Sequence, residues 1–168
     1  MRFKFTFCIS RTTQLRVKFG VRAKRLMDND NLVVKLCIEG MQAEAEGKPD
    51  VARKLFEQAW AARQDDFDAC VAAHYLARHQ QNPQETFNWN KEALSRAEAL
   101  DDDRVEGFYS SLYLNMGYSY ETLGNRVEAR RYYEMAADKL NNVPEGGYKE
   151  VVRNGIEGGY KRTEIGDE

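Results

Sequence analysis

Residues 113–136 read YLNMGYSYETLGNRVEARRYYEMA, and the spacing of small and aromatic residues in this stretch decides the fold. The marker positions are separated by seven, five, four and three residues: Gly117, Gly124, Ala129, Tyr133 and Ala136. The same four steps separate an earlier set: Gly40, Gly47, Ala52, Phe56 and Ala59. Such self-similarity is typical of repeat proteins, in which each copy is one small structural unit.

A weaker copy lies between these two. It begins 34 residues after the first copy and keeps three of its positions: Ala77, Pro83 and Ala93. His74, Thr86 and Asn90 stand where the outer copies have glycine, alanine and an aromatic residue. Extra residues around 101–109 separate it from the third copy. The pattern predicts repeats at about 33–66, 67–100 and 110–143, followed by a polar capping helix at about 148–162.

Apolar residues from position 28 onward recur every three or four positions, which predicts seven α-helices and no strand. Asp28 or Asn29 would cap the first helix, and Pro49 would begin the second. The acidic run 101–103 would cap a helix that extends from Val105 to Leu123.

The third copy resembles the tetratricopeptide repeat (TPR) family, including small bacterial TPR proteins. It carries Tyr113-x2-Met116-Gly117-x2-Tyr120 and then Ala129-x3-Tyr133. The resemblance covers about residues 33–143. It implies an all-α, right-handed superhelix of three helix pairs plus a C-terminal capping helix, in which a glycine lets two helices approach closely and an aromatic ring fills the remaining space.

Composition favours a soluble globular chain. The 168 residues are 42% hydrophobic and 31% charged, with a mean hydropathy of -0.70. No apolar stretch approaches the roughly 18 residues that span a membrane. Three cysteines without paired spacing favour reduced thiols and a cytoplasmic location.

The first 26 residues form a basic leader with eight Lys/Arg and no acid. The rest of the chain then holds 17 of the 25 bases and all 27 acids, a formal charge of −10. An acidic body repels nucleic acid, so we expect none as a partner and no membrane association. The leader could be a disordered or over-extended start, an ordered arm or a targeting segment.

In TPR proteins the first helix of each pair lines a concave groove that binds peptides. By this resemblance, the expected peptide-binding residues are Met41, Glu44, Val71, Tyr75, Arg78, His79, Leu114, Asn115, Tyr118 and Glu121. Tyr75, Leu114 and Tyr118 would supply affinity, since buried aromatic and apolar anchors dominate interfaces. A carboxylate clamp is not expected, because Cys37 and Met41 stand where the clamp needs a cation and an amide.

The expected function is a non-enzymatic scaffold or adaptor that binds a peptide or helix of another protein. One alternative is a structural, self-assembling protein whose groove holds its own terminal segment, with a homo-oligomer as the result. A minor alternative is an enzyme that uses His74 or His79. A plainer interpretation also stays open, in which Val71 and Leu114 simply pack the core.

The sequence contains no strong catalytic, metal-binding or nucleotide-binding motif, so no catalytic residue, metal or cofactor is expected. His74 and His79 are five residues apart, which separates them by about 140° around a helix. Gly146-Gly147 and Gly158-Gly159 lack the spacing of a phosphate loop, so the motifs do not support a methyltransferase. We expect His74, Cys37 and Cys70 to be buried, with Trp89 filling the space that Asn90 leaves.

Overall fold

The computed structural model describes residues 31–100 and 103–164; the predicted leader, residues 1–26, lies outside them. The described residues form seven α-helices: α1 (Leu32–Ala45), α2 (Pro49–Ala62), α3 (Asp66–Leu76), α4 (Pro83–Glu98), α5 (Tyr109–Thr122), α6 (Arg126–Lys139) and α7 (Gly147–Arg162). Within those two ranges there is no strand, which confirms the prediction of an all-α fold with seven helices.

Local sequence explains where most helices begin. Four helices follow an Asn or Asp whose side-chain oxygen accepts a hydrogen bond from a backbone N–H three residues later: Asn31, Asp65, Asn82 and Asn125. Pro49 and Pro83 begin α2 and α4, at a position where the missing N–H would have had no partner. Gly47 and Gly124 follow α1 and α5 with φ of 75° and 85°, a conformation that favours glycine.

Two helix starts differ from the prediction. Helix α1 begins at Leu32 with Asn31 as its cap, while Asp28 and Asn29 lie outside the described residues. Helix α5 begins at Tyr109 rather than Val105, because Asp103–Val105 form a separate 3₁₀ turn. Glycine is a poor helix former, so Gly107 is a natural break between the two elements.

Helices that are adjacent in sequence pack against each other throughout residues 31–100 and 103–164. The pairs α1–α2, α3–α4 and α5–α6 correspond to the three copies, and α7 lies against α5 and α6. Helix α1 also contacts α3 directly. One apolar core therefore runs from α1 to α5, and a smaller cluster fastens α7 to α6 through Ala136, Val152 and Ile156.

Size complementarity between paired helices explains the repeated glycine–aromatic spacing. Gly40 of α1 lies directly against the ring of Phe56 of α2, which is fully buried. In the third pair, a Cβ on Gly117 would lie 2.6 Å from Cε1 of Tyr133. A side chain larger than hydrogen has no room at either glycine, so these two positions set how closely the helices approach.

The middle pair reverses this arrangement. His74 brings a large side chain to α3, and Asn90 brings a smaller one to α4, and both are buried. Asn90 Nδ2 donates a hydrogen bond to Ser119 Oγ of α5 at 2.9 Å. Asn90 thus keeps the position itself, whereas Trp89 lies edge-on to Trp60 with ring centroids 4.9 Å apart, which differs from the expectation that Trp89 would replace it.

Across the described ranges 31–100 and 103–164, no helix is both long enough and apolar enough to cross a membrane.

Candidate functional site

The inner sides of α1 and α3 form an apolar floor. Its side chains come mainly from these two helices: Val34, Cys37, Ile38, Met41, Phe67, Val71, Tyr75 and Phe108. They leave a recess of only about 10 Å³, which is roughly the space that one water molecule needs. The floor therefore offers a surface for contact and not a deep pocket.

A charged cluster borders this floor at the end of α3. The Glu44 carboxylate accepts hydrogen bonds from Arg78 Nη2 and from His79 Nε2, the latter at 2.7 Å. Burial and the positive charges of Arg78 and Arg53 lower the pKa of His79, so the ring is neutral near pH 7. With His79 neutral, the three-residue cluster holds one ion pair, between Arg78 and Glu44.

Aromatic rings hold the Arg78 guanidinium in place. Its Cζ lies 5.1 Å from the ring centroid of Tyr75, within the range of a cation–π contact. Tyr75 in turn stacks on Phe56 with ring centroids 5.2 Å apart. The guanidinium is thus oriented by Glu44 on one side and by a fixed ring on the other.

Helix α7 adds a further side chain to this region. Tyr148, at the start of α7, lies close enough to Ser111 of α5, Arg78 and Tyr75 for these groups to influence one another's pKa values. We call the set Glu44, Tyr75, Arg78, Ser111 and Tyr148 the inner groove. Residues from α1, α3, α5 and α7 meet there.

Arg78 and Tyr148 are partly exposed and also partly desolvated. The Arg78 side chain is 36% exposed, and burial lowers the pKa of its guanidinium. Tyr148 is 41% exposed, and burial raises the pKa of its phenol. Water therefore reaches both groups, although the surrounding protein disfavours the charged form of each.

Several predicted groove residues from the third pair contact α7 or the core. Leu114 lies under Gly155 of α7, where a Cβ would be 2.8 Å from Leu114 Cδ2. The Glu121 carboxylate accepts hydrogen bonds from Tyr133 Oη at 2.5 Å and from Arg162 Nε at 2.6 Å. Tyr118 is exposed on α5.

A buried polar row connects α3, α4 and α5. Asn115 Nδ2 donates to His74 Nδ1 at 3.4 Å, and the Asn115 carbonyl accepts from Asn90 Nδ2 at 3.5 Å. Burial lowers the pKa of His74 to about 4, so its imidazole is neutral near pH 7. Asn90 Oδ1 is buried without a hydrogen-bond partner among the described residues.

The structure brings Glu44, Tyr75, Arg78 and His79 together, and it places Met41 and Val71 on the adjoining floor. Sequence reasoning missed Ser111 and Tyr148. Charged residues are frequent in the sequence after Tyr148, so the pattern indicates only a polar capping helix there. The signal that could have identified Tyr148 is its position as the first aromatic of the helix that follows the third pair.

The described residues contain no group of three or more His, Cys, Asp or Glu side chains that could hold a metal. Cys37 and Cys70 are buried free thiols, and burial raises the pKa of each to about 12. Thiolate is the nucleophilic form, so neither sulfur is activated for chemistry near pH 7.

Comparisons with known proteins add no family assignment. No protein-family model matches the chain, and neither a curated protein nor a solved structure is significantly similar to it.

Proposed function

We propose that this chain is a non-enzymatic TPR-like scaffold that binds a peptide or helical segment of another protein along the inner groove. The proposal includes a right-handed superhelix, in which the first helix of each pair faces the partner. It is supported by the glycine–aromatic spacing of the outer pairs and by the contact between α1 and α3.

Arg78 is the observation that carries this proposal. A guanidinium has five N–H donors. Among the described residues, Glu44 is the only hydrogen-bond partner of Arg78, which leaves donors available in a partly desolvated groove. Charged hydrogen bonds gain strength where water is partly excluded. A partner segment would supply carbonyl or carboxylate oxygens to Arg78 and apolar contact to Tyr75.

Peptide selection on the full chain tests the proposal. Random peptides displayed on phage are selected on the wild-type chain, and each is then measured against Arg78→Met. We expect a loss of at least about tenfold in affinity, as for a central interface arginine. Arg63→Met is the matched control, since the Arg63 guanidinium also lies over an aromatic ring, that of Trp60, but outside the groove.

Two results would count against groove binding. One is a set of peptides whose affinity is the same for wild type and Arg78→Met while Arg63→Met reduces it. The other is a failure to select any peptide although circular dichroism shows that the chain is folded.

Self-assembly is the second candidate function, and the position of Tyr148 favours it. This side chain belongs to α7 and lies near enough to Arg78 to influence its pKa. A groove that holds its own terminal segment could hold that of a second copy. Light scattering after size exclusion, from low to high micromolar protein, should then give a mass that rises towards a dimer; a constant monomer mass would refute this alternative.

A cytoplasmic location is part of the proposal. It is supported by Cys37 and Cys70, which are free, buried thiols compatible with a reducing compartment.

A further inference from the structure

Helix α7 contacts the third pair through glycines. Gly155 lies against Leu114, and a Cβ on Gly159 would be 2.6 Å from Cε2 of Tyr133. The two glycines are four residues apart and therefore share one face of α7. This face allows the helix backbone to approach α5 and α6 as closely as Gly117 allows α5 to approach α6.

The same glycines make α7 a poor helix in isolation. Gly155, Gly158 and Gly159 all lie in its second half, and glycine disfavours a helix more than any residue except proline. A 16-residue helix that is this rich in glycine forms because it docks, so helix formation and docking are coupled. Such an element is a candidate for local opening while the rest of the protein stays folded.

Polar contacts fix both ends of α7. Near its C-terminus, Arg162 Nε and Nη2 donate to the two carboxylate oxygens of Glu121 at 2.6 and 3.1 Å. Arg126 Nη2 also donates to the Arg162 carbonyl at 2.7 Å. At the N-terminus, Tyr148 lies near Ser111 and Arg78 in the inner groove.

We propose that α7 is an internal substitute for the partner: it covers the face of α5 and α6 next to the inner groove, and the partner that displaces it is a helix with two small residues four positions apart. This inference rests on the proposed function, because it describes the regulation of the same groove. While α7 is docked, Leu114 is covered and Tyr148 stands beside Arg78. When α7 leaves, Leu114 and Arg78 become available to the partner.

The contacts define the competing helix. Small residues at the positions of Gly155 and Gly159 fit against Leu114 and Tyr133. An aromatic residue seven positions before the first glycine matches Tyr148, and an arginine three positions after the second matches Arg162. The α7 sequence itself meets every one of these requirements, so it is the defined probe for the site.

A labelled synthetic peptide with the sequence of residues 143–164 tests the proposal on the full chain by fluorescence anisotropy. The wild-type chain binds the peptide weakly, because its own α7 competes at high effective concentration. The Arg162→Met chain should bind it about threefold to tenfold more tightly, since the peptide keeps the contacts with Glu121 that the chain's own helix has lost.

Matched controls isolate the docking contacts. Arg153→Met removes another arginine from α7 whose partner, Glu150, lies on the same helix, and it should leave peptide affinity at the wild-type value. A peptide with Gly155→Leu should not bind either chain, because a side chain there meets Leu114. Equal affinity of the two peptides, equal affinity for wild type and Arg162→Met, or no binding at all would each overturn the proposal.

Hydrogen exchange on the wild-type chain keeps the test independent of any variant's folding. Amides of α7 should exchange faster than those of α5 and α6 through a local opening that depends little on denaturant. Exchange of α7 only with global unfolding would overturn the proposal.

The peptides selected for binding to the inner groove distinguish a failure of this inference from a failure of the proposed function. Peptides that depend on Arg78 should bind Arg162→Met more tightly than wild type, because α7 is docked less of the time. If they bind both chains equally, groove binding stands and the regulation by α7 falls. If the α7 peptide binds but no Arg78-dependent peptide exists, the proposed partner site fails while the exchange of α7 stands.

Discussion

The buried imidazole of His74 should make the protein sensitive to mild acid. His74 is 8% exposed, and its ring accepts a hydrogen bond from Asn115 but faces no carboxylate among its hydrogen-bond partners in the described residues. Burial lowers its pKa from 6.5 to about 4 in the folded chain. The unfolded chain therefore binds a proton at a pH where the folded chain does not.

The pH dependence of the free energy of unfolding follows from this difference in pKa between the folded and unfolded states. Above about pH 6.5 the ring is neutral in both states and contributes no pH dependence. As the pH falls below 6.5, the unfolded state gains protons first, so stability is lost progressively until the folded pKa is reached. The loss amounts to about 2 kcal/mol at pH 5 and about 3 kcal/mol below pH 4, out of a typical total of about 5–15 kcal/mol.

Urea unfolding at pH 7 and pH 5 measures this loss. His74→Gln is the comparison variant, because glutamine keeps an amide for hydrogen bonding and does not titrate. Wild type should lose about 2 kcal/mol more than His74→Gln between the two pH values, since all other titrating groups are shared. His79→Gln controls for the second histidine and should retain most of the wild-type loss. An equal loss in wild type and His74→Gln would refute the argument.

Three further perturbations follow from the same packing. Gly117→Ala should destabilise the protein by about 1–3 kcal/mol, measured by urea unfolding, because the new methyl group meets Tyr133. Phe56→Ala should cost about 3–5 kcal/mol in the same assay, whereas Val127→Ala, at an exposed position, should change stability by less than about 0.5 kcal/mol. Cys70 should resist iodoacetamide at pH 7.5 in the native chain and react in urea, as followed by mass spectrometry, because burial raises its pKa to about 12; labelling of the native chain at the rate seen in urea would contradict this.

The outer pairs could be predicted from sequence because their information is local. Gly40 and Phe56 are on two consecutive helices, so a fixed spacing is enough to indicate that they meet. The same is true of Gly117 and Tyr133. The start of α2 at Pro49 is equally local, and it lies where the sequence predicted it.

The middle pair and the inner groove depend on contacts between distant residues, and sequence reasoning was weaker there. The sequence shows His74 and Asn90 in place of a glycine and an aromatic residue, but the hydrogen bond from Asn90 to Ser119 of the next pair is visible only in the structure. Glu44 and Arg78 were both predicted groove residues, but their direct hydrogen bond joins residues 34 apart. Tyr148 of α7 lies near Ser111 of α5, and no local spacing encodes that proximity.

The reversed middle pair also limits how the chain could be rearranged. In an ideal repeat protein, any unit can be duplicated or moved because every junction is alike. Here Asn90 is matched to Ser119 of the next pair and His74 to Asn115, so the middle unit has a specific neighbour on its C-terminal side. If the middle unit were instead followed by a copy of itself, a second α3 would take the place of α5, and it carries alanine and leucine at the two matching positions. The polar groups at this junction therefore fix the order of the units. Repeating the middle unit would leave the buried Asn90 amide without its Ser119 partner.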